Sequence, residues 1–296
     1  MKITLLHNQH VNTISSASVI ERIHNKLLVA GDDSNYIFIL NTEFQLLYQI
    51  AIANFTTNEN NRIDKNIKHD IEAGFLFENN RQIYLCLLGS GSRSNRTHAY
   101  ILLIDEHINY YFTLDFSKLY DAILLQLPKY NELNIEGAAI VNNDLILVQR
   151  GNLKQNNFII IFHNFNVEIL LNKDIEPLSR LHFNVIEITP LYINGAIAGI
   201  TGVSFIKEKN WLLFTAAAEY TMDVYRDGVI AGAQLFYIDM NITDLATWQL
   251  QPIDYLFEYK IESICYQIIN EEIILFLVAD NDNGSSHFYK MKLIHE

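Results

Sequence analysis

The sequence predicts an all-β fold: a single β-propeller of five four-stranded antiparallel blades, closed by the N-terminal strand. Five segments share one plan. An isoleucine is followed by a polar residue, a strand, a short turn and a second strand that breaks into a polar or glycine-containing loop. The apolar runs are short, rich in Ile, Leu, Val, Phe and Tyr, and bounded by Asn, Asp and Gly, which are strand signals. The two ends are complementary, because the last unit lacks a strand and the N-terminus carries a spare one. Hairpins recurring at this period point to a propeller.

The first unit opens at Ile14-Ser15 and continues with strands at Tyr36 to Leu40 and Leu46 to Ile50. The second opens at Ile71-Glu72 and reaches Gly89 after its second run. Phe116 to Leu127 reads as a helix that Pro128 stops. The third opens at Ile135-Glu136, turns at Asn142-Asn143, and adds strands at Asn157 to His163 and Asn166 to Leu170. The fourth opens at Ile200-Thr201 and the fifth at Ile261-Glu262. The polar positions Ser15, Glu72, Glu136, Thr201 and Glu262 lie 57, 64, 65 and 61 residues apart by subtraction, which makes each unit long enough for four strands. Lys2 to Leu6 is expected beside His287 to Ile294, closing the ring. A sixth blade would have to come from Ile186 to Ile197, and that is the alternative. No Pro/Gly-rich linker divides the 296 residues, so one domain over 1–296 is expected.

Hairpin connectivity puts the start of each inner strand and the end of its neighbour on one face of a blade. The five polar positions should therefore circle one mouth of the channel. The loops around Asp32-Asp33, Gly89–Arg93, Gln149–Asn152, Ala218-Glu219 with the following 220–228, and Asp280–Gly284 should circle them. Burying an unpaired carboxylate is costly, so Glu136 needs a partner or water. Glu72, Glu136, Glu262, Glu219 and Asp32 form an oxygen-rich set of the kind that Ca²⁺ or Mg²⁺ takes; otherwise no cofactor is called for. Crowded carboxylates without a cation hold their protons longer, and one could then act as a general base. Arg93 and Arg150 offer planar forks for phosphate or carboxylate. Glu136, Arg150, Glu72 and Arg93 are the candidate catalytic residues. The plainer alternative has the same glutamates paired with the two arginines to hold blades together.

Ile-Glu-Gly (135–137) and Ile-Glu-Ala (71–73) open inner strands, and LLGSGSR (87–93), LVQRGN (147–152) and LLFTAAAE (212–219) follow. This pattern resembles a bacterial propeller family of unknown function related to the phytase-like esterase domain. The resemblance implies a phosphoester or other ester hydrolase, metal-dependent in one version. Ser15 and Thr201 stand where that pattern has glutamate, which breaks the symmetry of a metal ring.

Other motifs read as structure. Asp280–Gly284 is a polar turn, since Met291 stands where an EF-hand needs glutamate. Gly89-Ser90-Gly91-Ser92 is a hairpin loop without the lysine of a phosphate loop, and no Gly-x-Ser-x-Gly is present. His69 is expected as a solvated loop residue, and Cys86 and Cys265 as buried thiols. A net charge of −13 argues against nucleic acid and anionic membranes as partners. With no leader and no apolar stretch of about 18 residues, a cytoplasmic location is expected. The partners expected are a small-molecule substrate or ligand, or a protein docking on the loops. The function expected is hydrolysis of a small anionic or ester substrate in the funnel. The alternatives are sugar or small-molecule binding without turnover, and protein interaction.

Overall fold

A computed structural model describes residues 1–59, 61–105, 110–127, 132–153, 155–173, 176–220, 228–256, 259–281 and 284–294. After β1 (Lys2–Val11) come five sheets in chain order. Blade one is β2 (Ala17–Ile23), β3 (Lys26–Gly31), β4 (Tyr36–Asn41) and β5 (Leu46–Ala51). Blade two is β6 (Ile71–Asn79), β7 (Gln82–Gly89), β8 (His98–Ile104) and β9 (Tyr110–Asp115), followed by α1 (Ser117–Gln126). Blade three is β10 (Ile135–Val141), β11 (Asp144–Gln149) and β12 (Asn157–Phe162), then the single turn α2 (Glu168–Leu171), then β13 (Phe183–Ile188). Blade four is β14 (Leu191–Ile193), β15 (Ala196–Ile206), β16 (Trp211–Tyr220), β17 (Val229–Asp239) and β18 (Gln251–Leu256). Blade five is β19 (Lys260–Ile269), β20 (Glu272–Asp280) and β21 (Ser286–Ile294), with β1 as its outer strand.

The fold is the expected five-bladed propeller. β1 runs antiparallel to β21 from Lys2↔Ile294 to Val11↔Ser286. The five inner strands touch in a closed cycle, β2 to β6 to β10 to β15 to β19 and back to β2. Each blade buries both faces against its neighbours, and a separate apolar cluster fills every one of the five interfaces. That is why the second strands read as unbroken apolar runs, such as Leu85–Leu88 and Leu275–Ala279, instead of alternating. Between blades two and three, α1 buries Leu119, Tyr120 and Ile123, and Tyr120 donates its hydroxyl to the Gly89 carbonyl at 2.7 Å. Cys86 and Cys265 are free and buried.

Two sequence expectations change. The outer strand of blade three is β13, not Asn166 to Leu170. The Asn166 side chain accepts the Glu168 backbone N–H at 3.0 Å and starts a helical turn that buries Leu170. The sixth blade does not form. Ile186 and Ile188 belong to β13, and Leu191–Ile193 folds back on Ala196–Ala198 through Asn194-Gly195, both at positive φ, as an extension of blade four. Pro128 lies outside the described residues.

Removing residues 1–8 should strip β21 of its partner and leave an open sheet edge. The truncated protein is expected to melt at least about 5 °C lower and to aggregate on heating. Unchanged melting by calorimetry would mean that β1 does not close the ring.

Candidate functional site

Every inner strand slips register once, near the start of its pairing with the second strand. Ala17 faces Gly31 and Val19 faces Ala30; Ile71 faces Gly89 and Ala73 faces Leu88; Ile135 faces Gln149 and Gly137 faces Val148. The same slip separates Ile200 from Gly202 and Ile261 from Ser263. A bulge leaves one residue unpaired and re-aims its side chain. The bulged residues are Ser18, Glu72, Glu136, Thr201 and Glu262. Four are the positions read from the repeat. In blade one Ser18 takes the place expected of Ser15, because buried Ile14 imitates the repeat's isoleucine while the strand itself starts at Ala17. Ser15 instead lies 3.5 Å from Asp33. The two hydroxyls tie their blade to the next: Ser18 donates to the Ile71 carbonyl, and Thr201 to the Ile261 carbonyl at 2.6 Å. The three glutamates meet electrostatically, since the charge of Glu136 acts on Glu72 and that of Glu262 on Glu136.

Around blades one and two, the cations come from the connection between them. Lys68 bridges Asp32 and Asp70, with its Nζ 2.6 Å from Asp70, and Arg62 pairs with Asp33 at 2.5 Å. Arg93 is exposed, and the arginine that turns inward is Arg96, 2.8 Å from Asp70 and buried beneath the loop. Ser90 and Ser92 also donate to Asp70. The short helical turn at Ser94–Arg96 carries Arg96 in and leaves Arg93 at its outer end. His69 is buried, not solvated. It contacts the Tyr100 hydroxyl at 3.1 Å, and burial pushes its imidazole down to about 4, so it is neutral and structural.

On the other side, Arg150 crosses blade four. It pairs with Glu136 at 3.2 Å and reaches Glu219 at 4.0 Å. A Cβ at Gly199 would sit 2.5 Å from Arg150 Cγ and 2.7 Å from the Gly151 carbonyl, so only glycine leaves this path open. Lys260 lies 3.4 Å from both Glu219 and Glu262, closing the chain of charges. Asn134 donates to Glu136 at 2.6 Å. Glu262 Oε2 is buried without a hydrogen-bond partner.

Burial raises the Glu72 carboxyl well above its ordinary value, and the charges of Glu136, Asp70 and Asp32 add to the effect against Lys68. Burial also raises Glu136, to about 7, with Glu262 helping and Arg150 and Lys260 opposing. Asp70 goes the other way. Burial pushes it up, but Lys68, Ser90 and Arg96 outweigh that and hold it ionised. Arg150 stays charged because Glu136, Glu262 and Glu219 surround it.

Of the expected metal ligands, Asp32 and Glu72 offer oxygens within 4.8 Å of each other, joined by Asp70. Lys68 Nζ binds two members of that trio, Asp32 and Asp70, so a side-chain cation already neutralises part of their charge. Glu136 is held by Arg150, and Glu219 and Glu262 by Lys260. The described side chains therefore form an ion-pair network with built-in cations and do not suit Ca²⁺ or Mg²⁺ as they stand. Asp282 and residues 221–227 lie outside the described residues. Lys68, Asp70, Arg96 and Lys260 were not singled out from the sequence. Lys260 and Asp70 stand directly before the Ile-Glu pairs, a signal the repeat carried.

A five-bladed propeller with one polar, highly charged funnel is the class of protein these features define. The profile of a family of unknown function, DUF6929, matches residues 13–293, and the chain belongs to that family. No curated protein matches it in sequence. Among solved structures, glutaminyl cyclase from Myxococcus xanthus is similar with a TM-score of 0.50 at 8% identity, over 99% of this chain and 97% of that one. An exo-1,5-α-L-arabinanase from a bovine ruminal metagenomic library gives 0.49 at 8% identity, over 96% and 94% of the two chains. A GH43 endo-arabinanase from Bacillus licheniformis gives 0.48 at 12%, over 96% and 95%. At these identities the likeness concerns the fold.

Gly199→Ala should push Arg150 off its path. The expected cost is about 1–3 kcal/mol, as for other overpacked sites, and the melting temperature would report it; an unshifted Tm would mean Arg150 does not cross there. A second outcome concerns pH. The folded Glu72 carboxyl keeps its proton above the ordinary 4.5, so the folded state loses stability as pH climbs from that value until the folded group has ionised. Glutamine cannot ionise. Glu72→Gln should melt above the wild type at pH 8, by on the order of 1–2 kcal/mol, and converge with it near pH 5. An equal gap at both pH values would show that Glu72 ionises freely.

Proposed function

We propose that the funnel is the active site of a hydrolase acting on a small anionic or ester substrate. The observation behind this reading is the delivery of Glu72 and Glu136 into one funnel by adjacent bulges, with Arg150 fixed beside Glu136 at 3.2 Å. Two carboxyls whose surroundings push their proton affinities apart can serve as acid and base. Glu136, raised to about 7, is ionised part of the time at neutral pH and takes the proton of an attacking water. Glu72, partly open to the channel and raised further by its acidic neighbours, gives its proton to the departing oxygen. Arg150 holds the negative oxygen that forms, and Lys260 balances Glu262 and Glu219 behind it. Lys68 supplies the fixed positive charge at the Asp32, Asp70 and Glu72 trio, so this version needs no metal. The sequence resemblance of the Ile-Glu-Gly and Leu-Val-Gln-Arg-Gly-Asn segments to a propeller family related to the phytase-like esterase domain is the reason for choosing ester or phosphoester substrates.

A second reading is a binding propeller without turnover. It is favoured by the pairing of Asp32, Asp33, Asp70, Glu136 and Glu219 with side-chain cations, as expected of a site that holds charged ligands or simply itself.

The test is a panel of p-nitrophenyl phosphates, short-chain esters and lactones, run with and without EDTA. Turnover should survive EDTA, rise with pH through about 7 as Glu136 ionises, and fall again at higher pH as Glu72 loses its proton. Glu136→Gln and Glu72→Gln should each lower kcat by about 10²-fold or more while the protein stays folded. Saturable binding of a panel compound without turnover would leave the second reading, and activity that tolerates both substitutions would remove Glu72 and Glu136 from the chemistry.

A further inference from the structure

Just past the bulges the inner strands come together most closely. A Cβ on Gly74 would lie 2.7 Å from Val19 Cγ1, one on Gly137 3.0 Å from Val203 Cγ1, and one on Gly202 3.0 Å from Ser263 Cα. This waist separates the funnel from a second chamber. Three and four residues beyond each bulge, all five inner strands line a cavity of about 220 Å³. Its exposed lining is more polar than apolar, with Glu21, Arg22, Ser204 and Tyr266 standing among Leu76, Ile140 and Phe205. Its charged side chains are the neighbours Glu21 and Arg22 of β2.

Arg22 spans from blade one to blade five. Its Nε donates to the Tyr266 carbonyl at 2.7 Å and its Nη1 to the His24 carbonyl. A guanidinium has five N–H donors, and among the described residues no carboxylate forms an ion pair with this one. A partly buried cation whose only acceptors are carbonyls leaves donors and a charge for an anion. A cavity of roughly 150 Å³ already admits benzene, so this one has room for a carboxylate carrying a few carbons.

We propose that this lower chamber binds a small monocarboxylate, its carboxylate held by Arg22. Glu21 does not oppose this. Burial pushes its carboxyl up to about 8, so near neutrality it keeps its proton and donates to the anion. The other titratable groups facing the chamber are Cys265, which burial raises, and Tyr266, raised to about 12, both neutral over the same range. The lining residues of β6, β10 and β15 carry no titratable group. Binding should therefore weaken as pH rises past about 8 and Glu21 ionises. The site stands apart from the funnel and does not depend on the hydrolase reading.

The test is calorimetric titration of the full chain with sodium butyrate at pH 6.5 and pH 9, with butylammonium chloride as the opposite-charge probe. Saturable butyrate binding is expected at pH 6.5, weaker at pH 9. Arg22→Gln should weaken it at least about tenfold, Ala139→Phe should abolish it by filling the chamber, and Glu136→Gln in the funnel should leave it unchanged. Arg22 is partly exposed, so its variant keeps the test alive should Ala139→Phe fail to fold. No saturable binding to the folded wild type would overturn the proposal. So would butyrate binding retained by Arg22→Gln or lost in Glu136→Gln, or a preference for butylammonium.

Discussion

The rest of this molecule depends on one backbone constraint: each inner strand bulges once, at the residue that opens onto the funnel. Five strands packed around an axis leave little room, and the waist formed by Gly74, Gly137 and Gly202 shows how little. A long side chain at the waist could not be housed. The bulge solves this by turning one residue per blade out of the ladder and into the funnel above. Ser18 and Thr201 use that position to lock adjacent blades through a carbonyl. Glu72, Glu136 and Glu262 use it to bring three carboxyls together. The same backbone device thus serves cohesion in two blades and charge in three.

Three carboxyls in one funnel repel, and the surrounding side chains are arranged around that repulsion. Cations arrive from outside the bulge ring: Lys68 from the connection between blades one and two, Arg150 from the end of β11, Lys260 from the start of β19. The asymmetry of blade four follows from this. A side chain at Gly199 would crowd the path that Arg150 takes to Glu219. Burial is the main reason Glu72 and Glu136 hold their protons above the ordinary range, and the repulsion that remains among the carboxyls adds to it. Incomplete compensation is where a structural ion network and a reactive site part company.

The propeller itself does not select an activity. It is similar in fold to a glutaminyl cyclase at 8% identity, which bears on the architecture alone. Here the axis carries two environments. The funnel is charged and closely paired, and the chamber beyond the waist carries one guanidinium, Arg22, at its wall.

How much was legible in the sequence divides along the range of the interactions. Strand pairing within a hairpin is local, so the repeat, the turns, the helix after Phe116 and four of the five bulge positions could be read directly. Closure by β1 was legible because an unpaired strand at each end has only one economical partner. Arg150 was found because it shares a hairpin with Glu136, while Arg93 was chosen over Arg96 because the loop between β7 and β8 carries two arginines and only its folded turn decides which points inward. Ser15 was mistaken for Ser18 because the apolar residue ahead of each bulge can be imitated by any buried isoleucine nearby. Lys68 and Lys260 became partners of particular carboxylates only once neighbouring blades were set side by side. The glycine waist and the chamber beneath it were likewise decided by tertiary structure. Both are made by five strands from across the whole chain, and no local pattern records how closely those strands approach.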